Sequence, residues 1–137
     1  MRHFNKFDRT TPTSSDAGIL VLRLGAGASL FIHHGLEKLT GYSTMVQHFP
    51  DPIHIGAHAS LGFALLTDGV CSLLVMIGLL TRPACAFIVI NLLTAFFFVH
   101  HAAFLKNDHS ELVVLYIVAF TALLLTGPGR WSVRGGK

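Results

Sequence analysis

Four apolar stretches set the terms for this chain. They run from Ala17 to Leu36 (AGILVLRLGAGASLFIHHGL), Ser60 to Leu80 (SLGFALLTDGVCSLLVMIGLL), Ala84 to His101 (ACAFIVINLLTAFFFVHH) and Glu111 to Gly127 (ELVVLYIVAFTALLLTG). Each reaches or approaches the roughly 20 residues that cross a bilayer as a helix. Lipid offers no partner to an exposed backbone N–H or C=O, and the alternation of a barrel strand is absent, so the spans are expected to be helical. Composition agrees: 52% of residues are hydrophobic and 12% charged, about half the charge of a soluble domain. The fold expected is all-α, an integral membrane four-helix bundle.

One domain accounts for 137 residues. The layout expected is a tail over 1–16, a domain over 17–133 with spans at 17–36, 60–80, 84–101 and 111–127, and a tail over 134–137. FPDP, Phe49 to Pro52, lies in the first connection, GLLTRP turns the second span into the third, and GPGR ends the fourth. The first apolar run continues past GAGAS and carries Arg23, which argues against a cleaved signal peptide with its short apolar region.

Lysine and arginine set the orientation. Arg2, Lys6 and Arg9 precede the first span, Arg82 sits in the tight turn, and Arg130, Arg134 and Lys137 follow the last, against Lys38 and Lys106 on the other side. Both termini are therefore expected to be cytoplasmic. The formal net charge of +3 lies in these flanks and points to topology, with no nucleic-acid partner. Of nine histidines, His3 alone falls on the cytoplasmic side; His33, His34, His48, His54, His58, His100, His101 and His109 collect at the outer ends and loops.

Ionisable residues inside a span cost of order 3 kcal/mol each, so they mark function or a buried partner. Arg23 lies about two turns into the first helix, Asp68 near the middle of the second and Asn91 about two turns into the third, while Glu37 and Glu111 sit near outer ends. Arg23 and His34 are eleven residues apart, close to three turns. Arg23, Gly27, Leu30, His34 and Lys38 thus form one stripe with Glu37 at its edge, and His33 points roughly 100° away. Ala64, Asp68 and Ser72 share a face of the second helix. The bland alternatives are specific: Arg23 snorkels to the headgroups, Lys38 anchors the helix at the interface, single histidines are interfacial, and Asp68 makes a structural pair, with Arg23 or a histidine.

Cys71 and Cys85 make no Cys-x-x-Cys pair and read as small buried hydrophobes, against a dithiol relay. GAGASL lacks the third glycine and the preceding strand of a dinucleotide fingerprint, and no NAD or flavin motif is present. Imidazole and carboxylate together suit zinc, copper or iron, with His34, His100 and His101 as candidate ligands, but no His-Glu-x-x-His occurs and the metal signal is weak.

The same residues, in order, resemble the DoxX family of small bacterial membrane proteins. LRLGAGASLFIHHGLEKL, with His34, Gly35, Lys38 and Leu39 in a His-Gly-x-x-Lys-Leu ending, is similar to the family's first helix; GLLTRPA is similar to its turn into helix three. FVHH followed by ELVVLYIVAFTALLLTGPGRWSV resembles its last part, and Asp68 stands where the family typically has glutamate. The resemblance implies a four-helix inner-membrane protein, often labelled an oxidoreductase through relatives that resemble a subunit of thiosulfate:quinone oxidoreductase. The function expected is a redox-associated subunit that binds a quinone or similar lipophilic acceptor at a polar outer-face pocket. His34, Glu37 and Asp68 are the expected catalytic residues; Arg23, Asn91, His101 and Glu111 are the expected quinone contacts, with Asp68 and Arg23 as a deeper polar link. The alternatives are a non-enzymatic scaffold or assembly subunit, working with a protein partner or as a homo-oligomer, and an outer-face metal handler.

Overall fold

The computed structural model describes residues 12–99 and 108–133, and every regular element within them is helical. Helix α1 is α-helical over Pro12–Leu30, widens into a π-helical turn over Phe31–Gly35 and resumes over Leu36–Thr40. A single turn, α2 (Tyr42–Met45), follows. Helix α3 repeats the design of α1, with Ala57–Leu65, a π turn over Leu66–Cys71, and Ser72–Ile77. Helix α4 covers Thr81–Thr94 and ends in a π turn over Ala95–Val99, and α5 covers Asp108–Thr126.

Three stretches are long and apolar enough to cross a membrane, Thr13–Thr40, Ala57–Ile77 and Thr81–Val99; the apolar Ser110–Thr126 is shorter. Helix α1 extends past both ends of its apolar run. Pro12 suits a first helical position, where its missing N–H costs nothing, and Glu37 and Lys38 keep the far end helical as straight-chain residues do.

Each long helix buries one stripe. On α4 it is Ala84, Cys85, Ile88 and Leu92; on α5, Tyr116, Phe120 and Leu123. These residues join Leu30 of α1 and Cys71 and Val75 of α3 in one core. Helix α1 packs on α3 and α5, and α4 on α5 and α3. The outward faces carry Val21, Val70, Phe87, Leu115 and Leu125, all exposed. Such continuous apolar surface suits lipid contact.

The π turns alter the register. In α1 the buried positions Arg23, Gly27 and Leu30 follow helical spacing, and the next buried residue is Gly35, not His34. A π turn holds one residue more than an α turn, and that residue moves the inner face along by one. Gly35 then lies directly on the π turn of α3: a Cβ there would stand 2.7 Å from the Asp68 carbonyl oxygen and 3.2 Å from the Gly69 Cα. Two widened turns therefore meet at a glycine contact. The small residues let the backbones approach closely.

At the opposite end, Gly78 closes α3 in the left-handed region (φ +78°), with its N–H and that of Leu79 both bonded to the Leu74 carbonyl. This is the usual role of a glycine just past a helix. The segment after α5 folds beneath it, and Val133 donates to the Ile77 carbonyl at 3.1 Å.

Candidate functional site

Asp68 is the centre of the polar interior. The π turn of α3 points its carboxylate at α1, where Lys38 Nζ lies 2.7 Å from Oδ2; the two side chains are only 12% and 6% exposed. Lys38 also donates to the His34 carbonyl at 3.4 Å. The other carboxylate oxygen, Oδ1, accepts from Thr67 Oγ1 at 3.3 Å and from Asn91 Nδ2 on α4 at 3.5 Å. One carboxylate thus ties three helices together. A paired, hydrogen-bonded charge is the form in which a buried ion is tolerated.

The Arg23–Asp68 link expected from helical spacing does not form. Arg23 is 2% exposed and faces the other end of the molecule. Its Nε donates to the Met76 carbonyl, Nη1 to that of Pro128, and Nη2 to that of Trp131 at 2.8 Å. A guanidinium carries five N–H donors in a fixed fork, so one side chain can serve several carbonyls at once. Arg23 thereby seats the segment after α5 against the end of α3. Lys38 in turn is more than an interfacial anchor. It lies on the stripe that spacing gave it, and Asp68, one helix across, is the partner.

Around this pair the expected residues divide. His34 is half-buried, its ring edge-on to Tyr116 at 5.9 Å between centroids, and the Tyr116 hydroxyl lies 2.6 Å from Ser29 Oγ. His33 and Glu37 are exposed. Glu37 lines a shallow hollow at the rim with Thr40, Gly41, His48 and Phe49 and so does not back His34 from the interior. Glu111 is exposed as well, not a partner across the core. His100 and His101 lie outside the described residues. Among the described residues no three of His, Cys, Asp or Glu converge as a metal site requires. Sequence reasoning does not single out Lys38 or Tyr116 as site residues; the shared stripe points to the first, and only the packing of α5 reveals the second.

The cavity beside this network is apolar. It measures about 280 Å³ and is lined by Phe63 and Ser60 of α3, Ile90, Asn91, Thr94, Ala95 and Val99 of α4, and Phe49, Pro50, Pro52, Ile53 and Ile55 from the loop above. Among the described residues, Asn91 is the one candidate that lines it. The loop is tied down by Asp51, whose Oδ1 accepts from Ser60 Oγ (2.8 Å) and Ile55 N (3.0 Å) and whose Oδ2 accepts from Gly56 N (2.8 Å). These bonds, the one from Ser60 foremost, hold the Asp51 carboxyl below its usual pKa. They also hold His54 at a φ of +57°, a strained setting for a residue with a Cβ.

The family model described as DoxX matches residues 18–101, more than half of the chain. The chain belongs to the DoxX family. Neither the curated proteins nor the solved structures yield a match. The DoxX match includes His34, Lys38, Asp68 and Asn91; Tyr116 and two of the carbonyls that Arg23 holds, those of Pro128 and Trp131, lie beyond it.

Proposed function

We propose that this DoxX-family protein is a four-span bundle of the bacterial inner membrane, with both termini cytoplasmic, and a redox-associated subunit that holds a quinone or similar lipophilic acceptor. The expected domain over 17–133 would supply the spans. A partner protein would supply the electrons, since the role proposed for this chain is to bind and orient the acceptor. The observation that carries the reading is the apolar cavity with Asn91 in its wall, Asn91 being bonded to the buried Lys38–Asp68 pair. Ligand sites are mostly apolar hollows with a few fixed polar groups that set orientation. Here Phe63 and the roof residues Phe49 and Ile53 would enclose a ring, and Asn91 would meet its oxygen substituent.

In this reading Asp68 and Asn91 form the polar end of the site, with His34 beside them. Arg23, Glu37 and Glu111 support the fold and the rim. The test is a titration of a short-tailed quinone analogue against the protein in nanodiscs, by equilibrium dialysis. Asn91→Leu is expected to weaken binding about tenfold, the effect of losing roughly one hydrogen bond. Equal binding by the wild type, Asn91→Leu and the cavity-filling Ala95→Phe would refute it.

The scaffold reading has one observation in its favour: the Lys38–Asp68 pair joins α1 to α3 with no ligand needed. Gentle purification separates the two. A stoichiometric partner carrying all redox centres, with no quinone retained by this chain, would favour the scaffold.

A further inference from the structure

We infer that the loop over the cavity, residues 49–56, is a latched lid, in which Asp51 and Ser60 hold the water-side end of the cavity shut while its lipid side stays open. The inference takes the cavity as the proposed ligand site and adds how that site is kept dry.

The roof is apolar, but its fastening is polar. Phe49, Pro50, Pro52, Ile53 and Ile55 line the cavity, and Asp51 stands among them in the chain. Its Oδ1 accepts from Ser60 Oγ at 2.8 Å, and Ser60 belongs both to α3 and to the cavity wall. Among the described residues this is the one hydrogen bond from segment 49–55 to a helix that walls the cavity. The other two Asp51 bonds, from Ile55 N and Gly56 N, fold the loop back on itself at the start of α3. A carboxylate is favoured there by the positive end of the helix dipole.

The backbone under the latch is held away from its resting state. His54, between the lining residues Ile53 and Ile55, has φ +57°, and Gly56 has φ +101°. Glycine takes such angles freely, whereas a residue with a Cβ keeps them only while its surroundings impose them. Asp51 imposes them: its side chain binds Ile55 N, and its carbonyl accepts from His54 N at 3.3 Å. Once the Asp51 side chain lets go, His54 relaxes, and that rotation of the backbone swings Ile53 and Ile55 off the cavity.

The lipid side has no such fastening. Ile90 lines the cavity from the middle of the apolar stretch of α4 and is 53% exposed. A lipophile therefore reaches the cavity from the bilayer past Ile90, while the lid excludes water from the other end. Excluding water strengthens the polar contacts that a bound ligand makes.

The experiment places a thiol under the lid. Ala95 in the cavity wall is replaced by cysteine, and the full chain in nanodiscs is labelled with a water-soluble sulfonated maleimide or a lipophilic pyrene maleimide. The parent protein, whose Cys71 and Cys85 are buried, is the blank, and a cysteine at the exposed Gln47 gives the unhindered rate. The water-soluble reagent is expected to label Ala95→Cys about a hundredfold more slowly than Gln47→Cys. Adding Ser60→Ala, which removes only the bond to α3, should raise that rate about tenfold. Asp51→Ala should raise it further, and Ser60→Thr should keep it slow. The lipophilic reagent should label all of these alike. Equal water-soluble rates for Ala95→Cys and Gln47→Cys, or no rise with Ser60→Ala or folded Asp51→Ala, overturn the inference. So does a parallel rise with the lipophilic reagent, the mark of a fold loosened throughout. Should Asp51→Ala fail to fold, Ser60→Ala decides. The labelling needs no ligand, so a failure of quinone binding removes the proposed function, and a failure of this pattern removes the lid alone.

Discussion

Gly35→Ala tests the crossing on which the interior depends. The added Cβ would stand 2.7 Å from the Asp68 carbonyl oxygen and 3.1 Å from its carbonyl carbon, with backbone, not a flexible side chain, in the way. Ordinary contact begins at 3.4 Å, so α1 and α3 must part by at least about 0.7 Å. Forcing a methyl into a packed contact costs about 1–3 kcal/mol, offset in part by about 0.5–1 kcal/mol from replacing a helical glycine. The same parting draws Lys38 away from Asp68. Gly25→Ala and Gly62→Ala are the controls, because an added Cβ at either meets nothing within 4 Å. Reversible unfolding in mixed micelles, followed by circular dichroism, should show Gly35→Ala less stable than wild type and both controls equal or more stable. A Gly35→Ala protein as stable as Gly25→Ala would refute the close crossing.

Two further perturbations probe the ends of the molecule. Arg23→Leu should free the segment after α5, because the Met76, Pro128 and Trp131 carbonyls lose their donor; charged hydrogen bonds are worth about 1.5–3 kcal/mol each. Faster tryptic cleavage after Arg130 is the expected sign, and an unchanged rate would oppose it. At the other end, Asp51 has a lowered pKa in the folded loop, so its contribution is complete above its ordinary value near 3.9 and is lost as pH falls through the lower folded value. Amide protection at Ile55 and Gly56, after correction for intrinsic exchange, should hold from pH 7 to about pH 5 and fall only in stronger acid. Asp51→Ala should abolish that protection at every pH, and protection retained in that variant would show that Asp51 is not the tie.

Much of the interior is legible in the chain. Asp68 stands out as a charge with no route to water, and helical spacing places His34 and Lys38 on the stripe begun by Arg23. The partners are not legible. Arg23 and Asp68 look like a pair because opposite charges fall on neighbouring faces, yet spacing along one helix says nothing about which level of the next helix it meets. Asn91 draws notice as an uncharged polar residue in a span, and only the packing of α4 shows that it touches both Asp68 and the cavity. Regular α geometry puts Glu37 at the edge of the stripe; the structure leaves it exposed on the rim, past a π turn with no local sequence signature.

What the sequence alone determined is the class of molecule and its solvent. Long apolar runs must be helices if they lie in lipid, because no other local structure satisfies their backbone there. The ordered residues from the first helix to the third also placed the chain in its family. What only the tertiary structure decided is which charges meet. Two π turns, brought together at Gly35, set the height and rotation of α1 against α3, and so put Lys38 beside Asp68 and sent Arg23 to the carbonyls at the far end. Pairing across helices depends on that relative register. Register is a property of two backbones in contact, and no stretch of one chain encodes it locally.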